Sequence, residues 1–259
     1  MKQQGFIPSR RVLLQYLASW GVPTALAATS TGLRAAPRQI TMGAATSIAD
    51  FVKALAVQFE KINPGLEVRV TAGASDIVAS QAIRGAPIDL LILADDLAMS
   101  RVVSAGLVQA GTTKTIARNR LVLVTRQKIS KLSDLSDKSI RRIAIGNPAV
   151  VPAGRYAREA FAIAGVWPEI EGKIVYGNNV RHALEYLLKG EAQAAVIYQS
   201  DLLIKGVDKL NVFTLDVLAN YPMAVLTRSR EPELVTQFAA LALSEPARMA
   251  LRQLRFELP

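Results

Sequence analysis

Residues 39–71 read QITMGAATSIADFVKALAVQFEKINPGLEVRVT, and the fold class is legible in this stretch. Ile40 to Ala44 is a short apolar run of strand length. Ile48, Phe51, Val52, Leu55, Phe59 and Ile62 then recur at helical spacing, which predicts a helix with one apolar stripe. Asn63-Pro64-Gly65 stops it. Leu66, Val68 and Val70 alternate with Glu67, Arg69 and Thr71, the pattern of a second, half-buried strand. Strand, helix, strand is the alternation of an α/β protein.

The alternation continues outward. Residues 89–94 (DLLILA) are nearly all apolar, as a parallel strand covered on both faces should be. A second set begins with strands predicted at Arg142–Ile145 and Lys173–Tyr176, each followed by a loop and a helical pattern, and at Ala194–Tyr198. Apolar runs at Arg120–Thr125 and Tyr221–Thr227 stand between the sets and after the second one, where two lobes would be joined by crossing strands. The expected division is residues 37–121 plus 222–259 for lobe one and 122–221 for lobe two, with two helices after Glu231.

Residues 1–36 read differently. Arg10 and Arg11 precede an uncharged stretch from Val12 to Leu33, and small-residue cleavage candidates follow at Ala25-Leu26-Ala27 and Ala35-Ala36. This is the plan of a signal peptide. Gln15, Ser19, Gly21 and Pro23 interrupt the stretch, whereas a membrane anchor needs about 20 mostly apolar residues. Ser9-Arg10-Arg11-Val12-Leu13-Leu14 also resembles a twin-arginine signal, with Gln15 where lysine often stands. Either route leads out of the cytoplasm, to a periplasmic or extracytoplasmic location.

Composition narrows the chemistry. The chain has no cysteine and one histidine, His182, so disulfides, thiol nucleophiles and multi-histidine or Cys-based metal sites are excluded. The formal charge of +10 falls to +6 without the first 36 residues. The remaining Lys and Arg are scattered and aromatic residues make up 6%, which speaks against nucleic acid and for a mild field that draws small anions.

In an open α/β sheet, ligands bind where strand ends lead into helix N-termini. Four such corners carry small residues: Ala44-Ala45-Thr46-Ser47, Gly73-Ala74-Ser75-Asp76, Val151-Pro152-Ala153-Gly154 and Asn178-Asn179-Val180. Small side chains let backbone approach a ligand, and a helix start presents unpaired N–H groups and a positive dipole end. Together they suit an anion without lysine or arginine. Singly, each corner also reads as an N-cap or a turn, and Tyr198 as a core residue with its hydroxyl tied to backbone.

These residues resemble the periplasmic molybdate-binding proteins of ABC transporters. Ala44-Ala45-Thr46-Ser47-Ile48 is similar to that family's first-strand signature, and Gly85-Ala86-Pro87-Ile88-Asp89-Leu90 with Ala94-Asp95 to its next motif. The segment from Gly146-Asn147-Pro148 through Val151-Pro152-Ala153-Gly154-Arg155-Tyr156-Ala157 is the most specific. Asn179-Val180-Arg181 and residues 196–201 (VIYQSD) complete the set in order, so that the resemblance runs from about residue 38 to the C-terminus. It implies a two-lobed periplasmic-binding-protein fold with crossing strands as hinge, and an oxyanion, molybdate or tungstate, held in the cleft. It implies ligand contacts from Ser47 and Ser75 through hydroxyl and N–H, from the N–H groups of Ala153 and Val180, and from the Tyr198 hydroxyl. It further implies no cofactor, no direct metal-cation ligands, a membrane permease as partner, and a monomer. Asp76 departs from the pattern, since glycine or serine usually stands there, and Leu93 replaces a frequent serine.

A donor-only cavity suits a tetrahedral dianion, whereas a protonated phosphate would set its own O–H against donors. Sulfate or a small organic anion in the same fold is the near alternative, and a sensory domain another. A serine hydrolase using Ser47 or Ser75 would require His182, which lies in a helical stretch.

Overall fold

The computed structural model describes residues 38–259, so the signal segment expected at residues 1–36 lies outside the described residues. The first unit is β1 (Arg38–Ala45), α1 (Ala49–Ile62) and β2 (Leu66–Gly73), followed by α2 (Ser75–Ile83), β3 (Leu90–Ile92) and α3 (Asp96–Ser104). After β4 (Lys114–Thr125) come β5 (Ile143–Gly146), α4 (Pro152–Ile163), α5 (Trp167–Ile170), β6 (Ile174–Gly177), α6 (Val180–Leu188) and β7 (Ala194–Tyr198). The chain ends with β8 (Asn211–Val225), α7 (Pro232–Leu243) and α8 (Glu245–Gln253).

All eight strands form one sheet in the order β2-β1-β3-β8-β4-β7-β5-β6. β1, β2 and β3 are mutually parallel at one end, and β5, β6 and β7 at the other. Between these ends lie β4 and β8, antiparallel to each other along almost their whole length. Both are longer than their apolar runs suggest. β4 begins six residues before Arg120 and β8 ten residues before Tyr221, because pairing of β4 with β8 carries polar residues such as Arg118, Asn119 and Asn220 into the ladder. Conversely β3 is only Leu90–Ile92 within the apolar stretch 89–94.

The α1 stripe buries Phe51, Val52, Leu55 and Phe59, with Phe59 edge-on to Phe238 of α7 at 5.4 Å between ring centroids. Each such side chain contributes about 1.5–3 kcal/mol by leaving water. Ile62, expected on the stripe, sits on the last turn and is half-exposed. Gly65 turns the chain from α1 into β2 with φ +85°, a left-handed conformation that glycine adopts without strain. A second cluster under α2 and α3 contains Val78, Ile88, Leu91, Met99 and Val102, and buries Leu93 completely. Leu93 is therefore a packing residue.

Candidate functional site

The strand registers place the four corners. Ala45 pairs with Gly73 at one end of the sheet, and Gly146 with Gly177 at the other. Each pair is continued by the same contact, Thr46 N–H to Gly73 O and Asn147 N–H to Gly177 O, both 2.9 Å. Two loops on each side thus leave the sheet side by side and turn directly into helices.

All five residues expected from the sequence line one cavity. Ser47, Ser75, Ala153, Val180 and Tyr198 are joined there by Thr46, Ala74, Ala94, Val151, Pro152 and Asn179 among others, around a cavity of about 20 Å³. No lining residue is charged. Ser75 and Val180 are the first residues of α2 and α6, and Ala153 is the second of α4. Helix geometry leaves their N–H groups without an intrahelical acceptor. No side chain caps the N-terminus of α1, α2 or α4. At α6 the Asn179 side chain accepts from the His182 N–H at 2.9 Å, two residues past Val180.

Neither serine is an N-cap, since Ile48 and Ala74 occupy those positions. The Ala94 N–H donates to Ser75 Oγ at 2.9 Å, which leaves the serine proton to point elsewhere. Ser47 Oγ lies 2.7 Å from Tyr221 Oη, both fully buried. Asn119 Nδ2 donates to Tyr221 Oη at 3.4 Å and to Ser200 Oγ at 2.8 Å, while the Ser200 N–H donates to Asn119 Oδ1 and fixes the amide orientation. Either hydroxyl can donate in the Ser47–Tyr221 contact; with Tyr221 as donor, the Ser47 proton is free for the cavity. Burial first of all pushes the Tyr221 phenol up, so it keeps that proton.

Tyr198 is buried at the end of β7, and its Oη makes no well-formed hydrogen bond, with the Tyr221 hydroxyl as its polar neighbour. Burial, then the neighbouring Tyr221, hold its phenol well above the usual range. A protonated hydroxyl kept from water without an acceptor is costly, by about 1–3 kcal/mol. The expectation of a hydroxyl tied to backbone does not apply here.

The carboxylate of Asp76 is turned away from the cavity yet is not in solvent. Arg101 Nη2 holds Oδ1 at 2.8 Å and Arg155 Nη1 holds Oδ2 at 3.1 Å. Arg155 Nη2 also reaches Asp95 at 2.5 Å, and the Tyr156 hydroxyl donates to Asp95 at 2.9 Å. On the other flank Arg181 contacts Asp50 at 2.9 Å and Asp201 at 3.5 Å. His182 accepts from the Asn178 N–H through Nδ1 and stacks on Tyr186, so neither serine is paired with it. Sequence reasoning missed Tyr221, Asn119 and the role of Arg155. Tyr221 opens the second crossover run and Asn119 immediately precedes the first, and that matched placement was the available signal.

The model for bacterial extracellular solute-binding proteins matches residues 40–256. The chain belongs to this family. Among its relatives, the molybdate-binding protein ModA of Escherichia coli is 33% identical over 199 residues, covering 73% of this chain and 77% of that protein. Among solved structures, the periplasmic molybdate-binding protein of Azotobacter vinelandii superposes with a TM-score of 0.72 at 22% identity, covering 85% and 99% of the two chains. The sulfate-binding protein SubI of Mycobacterium tuberculosis superposes with a TM-score of 0.75 at 18% identity, covering 85% and 87%. The fold is the α/β periplasmic-binding-protein fold. A solute-binding protein of this kind holds a ligand and does not transform it, so Ser47 and Ser75 are not nucleophiles and the bound species is a ligand, not a cofactor.

Proposed function

We propose that this solute-binding protein captures molybdate or tungstate in the cavity at Ser47, Ser75, Ala153, Val180 and Tyr198 and delivers it to an ABC import permease. In this reading residues 1–36 direct export to the periplasm, residues 37–121 with 222–259 form one lobe, residues 122–221 form the other, and the cavity lies between them.

The observation that carries the reading is the buried Tyr198 hydroxyl, without a well-formed hydrogen bond, in a cavity with helix-start N–H groups, the hydroxyls of Thr46, Ser47 and Ser75, and Asn179, whose side-chain oxygen is already taken by the His182 N–H as the Ser75 oxygen is by the Ala94 N–H. Such a set offers hydrogen and little else. A tetrahedral dianion that only accepts fits it, each charge-assisted bond contributing about 1.5–3 kcal/mol. A metal cation would need carboxylate, imidazole or thiolate ligands, and the lining holds none. The cavity volume of about 20 Å³ is far below the roughly 300–1,000 Å³ typical of sites for organic molecules. The relatives that bind molybdate support the ligand, and the sulfate-binding neighbour makes sulfate the competitor. Sulfate is smaller and should fit loosely in a cavity shaped for molybdate.

Isothermal titration of the chain lacking residues 1–36 tests this. Tight binding of molybdate and tungstate, weaker binding of sulfate and none of phosphate is the expected order. Absence of molybdate binding, or sulfate binding as tight, refutes it.

A further inference from the structure

We infer that Arg155 is the positioning residue that fastens the two ends of the sheet over the cavity, and that Asp76 is present in this chain as its partner. The inference rests on the proposed reading of the cavity as an oxyanion site between two lobes.

Asp76 belongs to α2, between β2 and β3, and Asp95 caps α3 directly after β3, both at the β2-β1-β3 end of the sheet. Arg155 and Tyr156 belong to α4, which follows β5 at the opposite end. One guanidinium therefore bridges two carboxylates from across the cavity, at 3.1 and 2.5 Å, and Tyr156 adds a third contact at 2.9 Å. The two carboxylates are 6% and 4% exposed and Arg155 is 29% exposed, so these contacts are shielded from solvent screening on the acidic side. Burial alone would lower the Arg155 guanidinium, but Asp95 and Asp76 together raise it.

The arrangement can also let go. Asp76 keeps Arg101, and Asp95 keeps the Ala98 N–H at 2.9 Å, both partners from its own end of the sheet. On separation both carboxylates regain water while retaining one partner each. Arg155 thus biases closure moderately and does not lock it. Because Asp76 follows Ser75 and Arg155 lies two residues beyond Ala153, the clasp joins the segments that present two of the ligand-facing N–H groups. Holding these segments together delays departure of a bound anion and leaves the encounter with it unchanged.

The test uses the chain lacking residues 1–36 and molybdate as probe, with stopped-flow fluorescence of Trp167 for rates and small-angle scattering for the ligand-free radius of gyration. Arg155→Gln is expected to raise the dissociation rate about tenfold with association changed less than about twofold, and to expand the ligand-free protein. Asp76→Asn should give a smaller increase, and the double variant no more than Arg155→Gln alone, since the two residues share one interaction. An unchanged dissociation rate and radius in Arg155→Gln overturns the inference while molybdate binding by the wild type leaves the function intact. If the wild type binds no molybdate, the function fails and the ligand-free radius alone decides the clasp: expansion supports it, identity overturns it. If Arg155→Gln does not fold, Asp76→Asn decides by the same dissociation rate.

Discussion

Gly154 lies so close to Gly146 that a Cβ on it would sit 1.8 Å from the Gly146 carbonyl oxygen. The start of α4 is thereby pressed onto the end of β5, and this contact sets where the Ala153 N–H stands. Gly154→Ala has no flexible side chain to displace, only backbone. It should destabilise the protein by about 3 kcal/mol or more and abolish oxyanion binding in whatever fraction folds. Thermal melting and titration of the variant check this, and a melting temperature near that of the wild type would contradict it.

Tyr198→Phe should separate stability from binding. Removing a buried hydroxyl without a well-formed hydrogen bond relieves a desolvation penalty, so the ligand-free variant should be as stable as the wild type or more so. Its molybdate affinity should fall about 10- to 100-fold, because one donor to the anion is gone. Paired melts with and without molybdate read both effects.

Tyr221→Phe removes the hydroxyl that engages Ser47 Oγ without touching the cavity. Ser47 then gains freedom to accept, and discrimination against protonated oxyanions weakens. We expect molybdate affinity to drop about fivefold, with phosphate binding rising from undetectable to measurable. Titration with both anions reads the ratio, and an unchanged ratio would show that Ser47 is oriented by something else.

Asp201 gives the protein a pH-dependent element. Burial, opposed by Arg181 and the Tyr198 N–H, raises its carboxyl to about 6. The folded value lies above the unfolded one, so charging Asp201 opposes folding above about pH 6, and the folded form takes up a proton as pH falls toward the unfolded value. Relative to Asp201→Asn, the wild type should therefore gain about 1 kcal/mol between about pH 7.5 and about pH 5 in urea melts. A constant difference between the two proteins would remove Asp201 as the source.

The order of strands and helices was readable because apolar spacing along residues 39–71 and their later counterparts reports which faces are buried. The five cavity residues were reachable because small-residue corners at strand ends occur together in both halves of the chain, and because their pattern resembled a known family. The lengths of β4 and β8 were not readable. Their outer halves contain Arg118, Asn119, Asn211 and Asn220, and only pairing with each other makes these strand residues. Asp76 was legible as an oddity but not as half of a pair, since Arg155 is distant in sequence and its helix packs at the far end of the sheet. Likewise nothing local marks Tyr221 as a neighbour of Ser47, which lies 174 residues earlier.

Between the pairs Arg120–Leu218 and Val122–Thr214, the single residue Leu121 of β4 faces Leu215, Asp216 and Val217 of β8. An interrupted ladder yields before an intact one, as paper yields along a crease. Relative movement of the sheet's two ends should concentrate here and at the second interruption of the ladder, between Thr115 and Ala117, so that both rims swing by one common angle. A membrane partner gripping both rims would need to sense only that angle to tell a loaded molecule from an unloaded one.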